Sequence, residues 1–260
     1  AKASNYTVAD TIGTLEVTAA NITDTARFTV SQPADVVYNG LEQRQDVTVA
    51  DSKTGEDLAE GADYTLAYSD DATNVGTVTV TVTGTGNYAG EVVRTYQITP
   101  ATLTVTTPSA SKVYDGTALT ADGTISGLVN GETATFATTG TQTAKGSSDN
   151  TYSLTWDGTA KASNYTVADT IGTLEVTTNT SDLAVAAAPV KVTYDGKAHS
   201  AVAAATLKGA PTEATITYAD ADGGYTLTEA PSFTEAGTYT VAFKATKAGY
   251  ADATGTTTVT

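Results

Sequence analysis

Polar and apolar residues alternate from Thr77 to Thr83, with Val78, Val80 and Val82 on one side of an extended chain and Thr77, Thr79, Thr81 and Thr83 on the other. Successive side chains of a strand point to opposite faces, so this stretch predicts a strand with one face in a core and one in water. The same period turns Tyr239, Val241 and Phe243 inward near the end of the chain, and Tyr152, Leu154 and Trp156 inward in its middle. Shorter inward sets are Tyr64, Leu66 and Tyr68, then Phe136, then Ile216 and Tyr218. No stretch sustains apolar residues at i, i+3, i+4 and i+7, which argues against helices. Many short strands punctuated by Gly, Asn and Asp predict an all-β chain of small antiparallel sandwiches.

Turn chemistry supplies the next layer. The strings VVYNG (Val36 to Gly40), KVYDG (Lys112 to Gly116) and KVTYDG (Lys191 to Gly196) each run a β-prone segment into Asn-Gly or Asp-Gly. These dipeptides accept the positive φ angles of a type I′ turn, so three tight hairpins are expected, with Tyr38, Tyr114 and Tyr194 just before them. Each is preceded by a short β-prone run and a proline: Phe28, Val30 and Pro33; Leu103, Val105 and Pro108; Leu183, Val185 and Pro189. Proline suits a strand edge or a bend between strands. One N-terminal strand pair is thus used three times.

The recurrence extends further. Ala1 to Thr18 (AKASNYTVADTIGTLEVT) returns letter for letter at Ala160 to Thr177, a displacement of 159 residues. NVGTVTVTVTGTGNYAG (Asn74 to Gly90) parallels EAGTYTVAFKATKAGYAD (Glu235 to Asp252), whereas the middle unit ends in NYTVADTIGTLEVT (Asn164 to Thr177). Two repeat types therefore alternate, and the true period is a pair of modules. Expected boundaries are 1–24 for a C-terminal strand fragment of a preceding module plus linker, 25–99 for a module of type A, 100–178 for type B and 179–260 for type A again. The opening segment is expected to be poorly ordered, docked on the first full module, or exchanged into another molecule in place of Ala160 to Thr177. Alternation of unlike neighbours lowers the risk of strand exchange during folding, although duplication of one ancestral pair gives the same pattern.

Composition narrows the function classes. Cys and Met are absent, so disulfides, thiolate metal sites and a cysteine nucleophile are excluded. With 29 acidic against 13 basic residues the formal charge is −16, which repels nucleic acid and anionic lipid. No apolar run approaches the roughly 20 residues that cross a bilayer. Neither nucleic-acid binding nor membrane insertion of this segment is expected.

These strings resemble the bacterial surface-protein modules known as MBG domains, together with related Ig-like repeats of Gram-positive surface proteins. KVYDGTALTADGTISGLVNGETATF followed by SNYTVADTIGTLEVT is similar to their layout of YDG, then SG-x-x-x-G-(D/E), then NY-T. The first and third units match a looser relative through Y(N/D)G, (N/E)-x-G-T-(V/Y)-T-V and (N/G)Y-x-(G/D). The resemblance implies a tandem array of Ig-like β-sandwich modules in an extracellular protein of the cell surface or cell wall. Their repeats would form a stalk or present an adhesive tip.

Catalytic chemistry has few carriers in this chain. The single histidine, His199, lies in a polar stretch and reads as a surface residue, and no Gly-x-Ser-x-Gly elbow, phosphate loop or His-Glu-x-x-His string is present. No enzyme activity, cofactor or catalytic residue is expected. The carboxylates Asp70 and Asp71, and Asp220 and Asp222, could offer oxygens to calcium, but the bidentate Glu and flanking helices of a calcium loop are missing, so solvated turns are expected and no metal site is assigned. Lys112 and Lys191 stand in first strands where an isopeptide lysine could sit, yet the final strands TYQIT, TLEVT and TTTVT offer no Asn or Asp partner. A Thr to Gln ester through Gln97 has no more support. Most of the fourteen tyrosines and Trp156 fall on the inward register of alternating strands and are read as core rather than as a glycan-stacking platform, and Tyr88, Tyr165 and Tyr250 as corner tyrosines that hold loops. The functional expectation is a non-catalytic stalk or spacer of a bacterial adhesin, and the alternative is that the modules themselves bind host glycan or protein.

Overall fold

A computed structural model describes residues 2–5, 7, 12–69 and 71–260. Among the described residues it is all-β apart from two single turns of 3₁₀ helix, Ala3–Asn5 and Ala162–Asn164. The chain gathers into two compact units. One comprises residues 1–103, 127–134 and 156–167, the other residues 104–126, 135–155 and 168–260. Residues of the 100–178 repeat therefore contribute to both.

In the first unit two sheets enclose a core. Phe28–Val30 pairs antiparallel with Val49–Asp51, which in turn pairs with Glu56–Asp57. The other sheet has the order Val36–Val37, Glu91–Thr99, Gly76–Gly84, Tyr64–Tyr68. Val78, Val80 and Val82 are fully buried, as their alternation predicts, and Phe28, Val49, Tyr64, Tyr96 and Ile98 are buried too, with Tyr96 opposite Val78 across neighbouring strands. Arg27 closes one margin, donating from Nε and Nη2 to the two oxygens of the buried Asp51 at 2.9 and 2.7 Å. Ile12, Leu15 and Val17 are exposed and outside any strand. The rest of the expectation for the opening segment falls partly on Ala1, Tyr6 and Val8 to Thr11, which lie outside the described residues.

In the second unit Thr173–Thr177 runs between two partners, parallel to Ala110–Val113 and antiparallel to Gly146–Asp149. That central place buries Leu174 and Val176, whose identical copies Leu15 and Val17 are exposed. Further along the chain, Tyr239–Thr246 pairs antiparallel with Thr215–Tyr218 and with Ala253–Val259. The core there comprises Ala201, Ala203, Tyr218, Val241, Phe243 and Val259, and the Tyr218 hydroxyl accepts a hydrogen bond from the Ala203 N–H at 2.9 Å.

The prolines mark a change of sheet. Phe28–Val30 lies in one sheet, and past Pro33 Val36–Val37 joins the other, parallel to the last strand of its repeat. Leu183–Ala186 pairs with Ala204–Leu207, and past Pro189 Val190 bridges in parallel to Val259. A strand split by proline between two sheets is what an inter-strand bend requires.

The expected type I′ hairpins are not formed. Of the non-glycine residues only Asn130 and Lys208 have positive φ among the described residues, so Asn39, Asp115 and Asp195 stay on the ordinary side. Each uses its side chain instead, accepting at about 2.9 Å from the N–H two residues on, Leu41, Thr117 and Lys197. The following Gly40, Gly116 and Gly196 take φ of +77°, +82° and +71°. An Asx turn competes with the hairpin because it satisfies the local N–H without a second strand, and here the preceding strand already has a parallel partner.

Candidate functional site

Each of Tyr38, Tyr114 and Tyr194 stands immediately before an Asx turn, Tyr38 and Tyr114 at the end of a parallel strand and Tyr194 four residues past the parallel bridge of Val190 to Val259. In the first unit Tyr38 is 4% exposed. Its ring meets that of Tyr165 edge to face, with centroids 5.7 Å apart and planes at 81°. Both hydroxyls donate to Glu132, Tyr38 to Oε1 and Tyr165 to Oε2, each at 2.5 Å. Tyr165 Oη also accepts from the Val129 N–H at 3.1 Å, and Trp156 stacks on the Tyr165 ring at 5.5 Å. Burial, then the bond to Glu132, pushes the Tyr165 hydroxyl from 10.0 up to about 12, and the same causes raise that of Tyr38.

A polar seam flanks this cluster. Asn164, buried at the end of its 3₁₀ turn, accepts from the Val75 N–H at 3.1 Å and donates from Nδ2 to Asn74 Oδ1 at 3.0 Å. Lys161 Nζ donates to the same Asn74 oxygen at 3.2 Å, and Asn130 Nδ2 donates to the Gly40 carbonyl at 3.0 Å. The 25–99 repeat is thus joined to its successor through one aromatic pair, one shared carboxylate and three asparagines.

The second unit builds a related contact. Tyr114 meets Tyr250 edge to face at 5.3 Å and 89°. Asn179 Nδ2 donates to the Tyr114 carbonyl at 3.0 Å, while the Asn179 N–H donates to the Gly249 carbonyl at 3.0 Å. Gly249 has φ of +85°, and a Cβ placed on it would lie 2.3 Å from Tyr114 Cδ1. Only glycine permits that approach. The YxG tyrosine of one repeat therefore meets the corner tyrosine of the next in both places.

Tyr194 differs, being 65% exposed. It borders a cleft of about 220 Å³ lined also by Asp195, His199, Phe233, Glu235 and Tyr239. Phe233 and Tyr239 stack there with centroids 4.1 Å apart and planes at 10°. His199 is half-buried and its Nε2 lies 3.0 Å from Asp195 Oδ1, where the bond to His199, then the Lys197 N–H, holds the Asp195 carboxyl below its usual range.

The remaining sequence candidates sit apart from this cleft. Asp71 caps its own loop, accepting from the Thr73 and Asn74 N–H groups at 3.0 and 2.9 Å, and Asp70 lies outside the described residues. Asp220 accepts from the N–H groups of Asp222 and Gly224 at 3.0 and 2.8 Å and from the Thr226 hydroxyl at 2.5 Å. Both carboxylates are held below their usual range, by Asn74 first in one case and Thr226 in the other. Among the described residues no three of His, Cys, Asp and Glu gather as a metal would need. Lys112 Nζ is spent on Asp115 Oδ1 at 2.8 Å and Thr117 Oγ1 at 2.7 Å, and Gln97 Nε2 donates to Thr77 Oγ1 at 2.8 Å across neighbouring strands. Of the corner tyrosines, Tyr165 does hold a loop by its hydroxyl, whereas Tyr88 packs on Phe28 and Tyr250 on Tyr114. Glu132 and Asn164 were not singled out by sequence. Their signal was present, since Gly131-Glu132 and Asn164-Tyr165 occupy fixed places in the repeat layout.

Residues 103–175 match the family model described as MBG domain (YGX type). No curated protein matches the chain. Among solved structures, it is similar to the protocadherin GammaB4 extracellular domain at 12% identity and TM-score 0.26, covering 90% of this chain and 50% of that one. It is also similar to mouse cadherin-23 EC22-24 at 13% identity and TM-score 0.21, covering 90% of this chain and 98% of the other. The protocadherin gammaB7 EC3-6 cis-dimer structure stands at 11% identity and TM-score 0.22, covering 90% and 74%. The chain thus spans half the length of the first of these.

Proposed function

We propose that this chain is a non-catalytic repeat region, a stalk or spacer, of a bacterial cell-surface adhesin that holds a binding region away from the cell wall. The observation that carries the reading is the recurrence of one tyrosine contact between successive repeats, Tyr38 with Tyr165 and Tyr114 with Tyr250. A spacer needs each repeat to fold on its own core and to be held by its neighbour alone, and a tyrosine contact that recurs at both joins supplies that nearest-neighbour term. The MBG match over residues 103–175 supports an extracellular, bacterial surface setting. The absence of catalysis is part of the proposal, and the capping roles of Asp71, Asp115, Asp195 and Asp220 support it by committing those carboxylates to turns.

The cleft beside Tyr194 favours a second reading, in which the repeats bind host glycan or protein, because the stacked pair Phe233 and Tyr239 there is of the kind that sugars stack on. Immobilised mucin and a glycan array, probed with the full chain, separate the two. The spacer reading expects no saturable binding. Saturable binding that Tyr239→Ala abolishes would establish the second reading in its place.

A further inference from the structure

We propose that the face of the third repeat formed by Tyr194, Gly196, Glu235 and Ala236 is a docking surface for a further repeat of the 100–178 type. The repeat register matches Tyr194 to Tyr38, Gly196 to Gly40, and Glu235 and Ala236 to Asn74 and Val75, through the strings Y(N/D)G and (N/E)-x-G-T. All four counterparts in the first repeat are covered by the 100–178 repeat: Tyr38 by Glu132 and Tyr165, Gly40 by Asn130, Asn74 by Asn164 and Lys161, and Val75 by Asn164. The Asx turn that aims the tyrosine is the same in both, with Asn39 bonded to Leu41 N–H and Asp195 to Lys197 N–H at 2.9 Å.

The third repeat presents this surface open. Tyr194 is 65% exposed where Tyr38 is 4%. A Cβ on Gly40 would lie 2.6 Å from Asn130 Cβ, whereas one on Gly196 would meet nothing within 4 Å. Val192, also exposed, and Phe233 add apolar area beside Tyr194.

Charge selects the occupant. In the closed counterpart, the Asn74 side-chain oxygen accepts from Lys161 Nζ at 3.2 Å. Glu235 puts a carboxylate in that place, and a charge-assisted bond to lysine is stronger than a bond to a neutral amide. A Glu at the position of Glu132 would then receive the Tyr194 hydroxyl as Glu132 receives Tyr38. The occupant is therefore a repeat with the Lys161, Asn164, Tyr165 and Glu132 set. The inference rests on the spacer reading only in taking that occupant to be another repeat.

The test extends the full chain with a second copy of residues 98–178, which keeps register because Val259 faces Tyr239 as Tyr96 faces Val78. Nitration by tetranitromethane, resolved residue by residue by mass spectrometry, follows Tyr194, with Tyr38 as the covered reference. Docking predicts that Tyr194 reacts at least about tenfold more slowly in the extended chain than in the 260-residue chain. It also predicts that Glu235→Lys, which sets a lysine against the new counterpart of Lys161, restores fast nitration. Equal Tyr194 rates in the two chains, or protection indifferent to Glu235→Lys, would overturn the proposal. Either result leaves the spacer reading to its own binding test.

Discussion

Tyr38 and Tyr165 approach edge to face at 5.7 Å and share one carboxylate, each donating its hydroxyl to a different oxygen of Glu132. Two buried hydroxyls thus depend on a single acceptor side chain from a loop. Glu132→Ala leaves both without their partner, and an unmet buried donor costs about 1–3 kcal/mol. A lowered denaturant midpoint is expected, read through Trp156, which stacks on Tyr165. Glu132→Gln keeps an acceptor and should cost less.

Alkaline pH attacks the same cluster. The Tyr165 hydroxyl is raised from 10.0 to about 12 in the folded state, so its neutral form is the one the fold favours. The stability this contributes is fully present below pH 10.0 and is lost as pH rises through about 12. Unfolding midpoints of the parent chain should fall across that window, and Tyr165→Phe should fall less steeply.

Acid acts through Asp51, whose carboxyl is held down from 3.8 to about 2, first by the Arg27 guanidinium. A depressed carboxylate contributes stability that is present above 3.8 and disappears as pH falls through about 2. Asp51→Asn should remove this part of the acid sensitivity from the first unit while lowering its stability at neutral pH. An acid limb unchanged by the substitution would show that other groups dominate it.

Identical sequence in unlike surroundings gives a matched pair of substitutions. Leu174 is fully buried between strands Ala110–Val113 and Gly146–Asp149, and its copy Leu15 is 94% exposed. Leu174→Ala should cost about 2–5 kcal/mol. Leu15→Ala should stay within about 0.5 kcal/mol. An equal cost at both sites would mean that the opening segment is paired in another molecule, and light scattering with and without residues 1–18 would show that association directly.

Much of this was legible in the chain. Val78, Val80 and Val82 announced their burial by period alone, and Pro33 and Pro189 marked the points where a strand changes sheets. The turns were not legible, because Asn-Gly and Asp-Gly serve two local solutions equally well, and which one wins depends on a parallel partner far along the chain, Thr99 for Tyr38 and Thr177 for Tyr114. Tyr38 is buried under Tyr165 and Glu132 of the next repeat, so a join between repeats covers it, whereas Tyr165 also packs on Trp156 of its own repeat. Periodicity reports which face is dry and is silent about what dries it. Glu132 escaped notice for the same reason, since a lone acidic residue in a Gly-rich loop looks solvated until the two hydroxyls that it accepts are seen.

The central claim is that successive repeats are locked through their tyrosines, and a double-mutant cycle on Tyr38→Leu and Tyr165→Leu tests it most directly. Denaturant midpoints of the parent, both single variants and the double variant, followed by Trp156 emission, give the coupling. The contact predicts a coupling of about 0.5–1.5 kcal/mol beyond the separate losses. Additive losses, with no coupling between the two tyrosines, would contradict it.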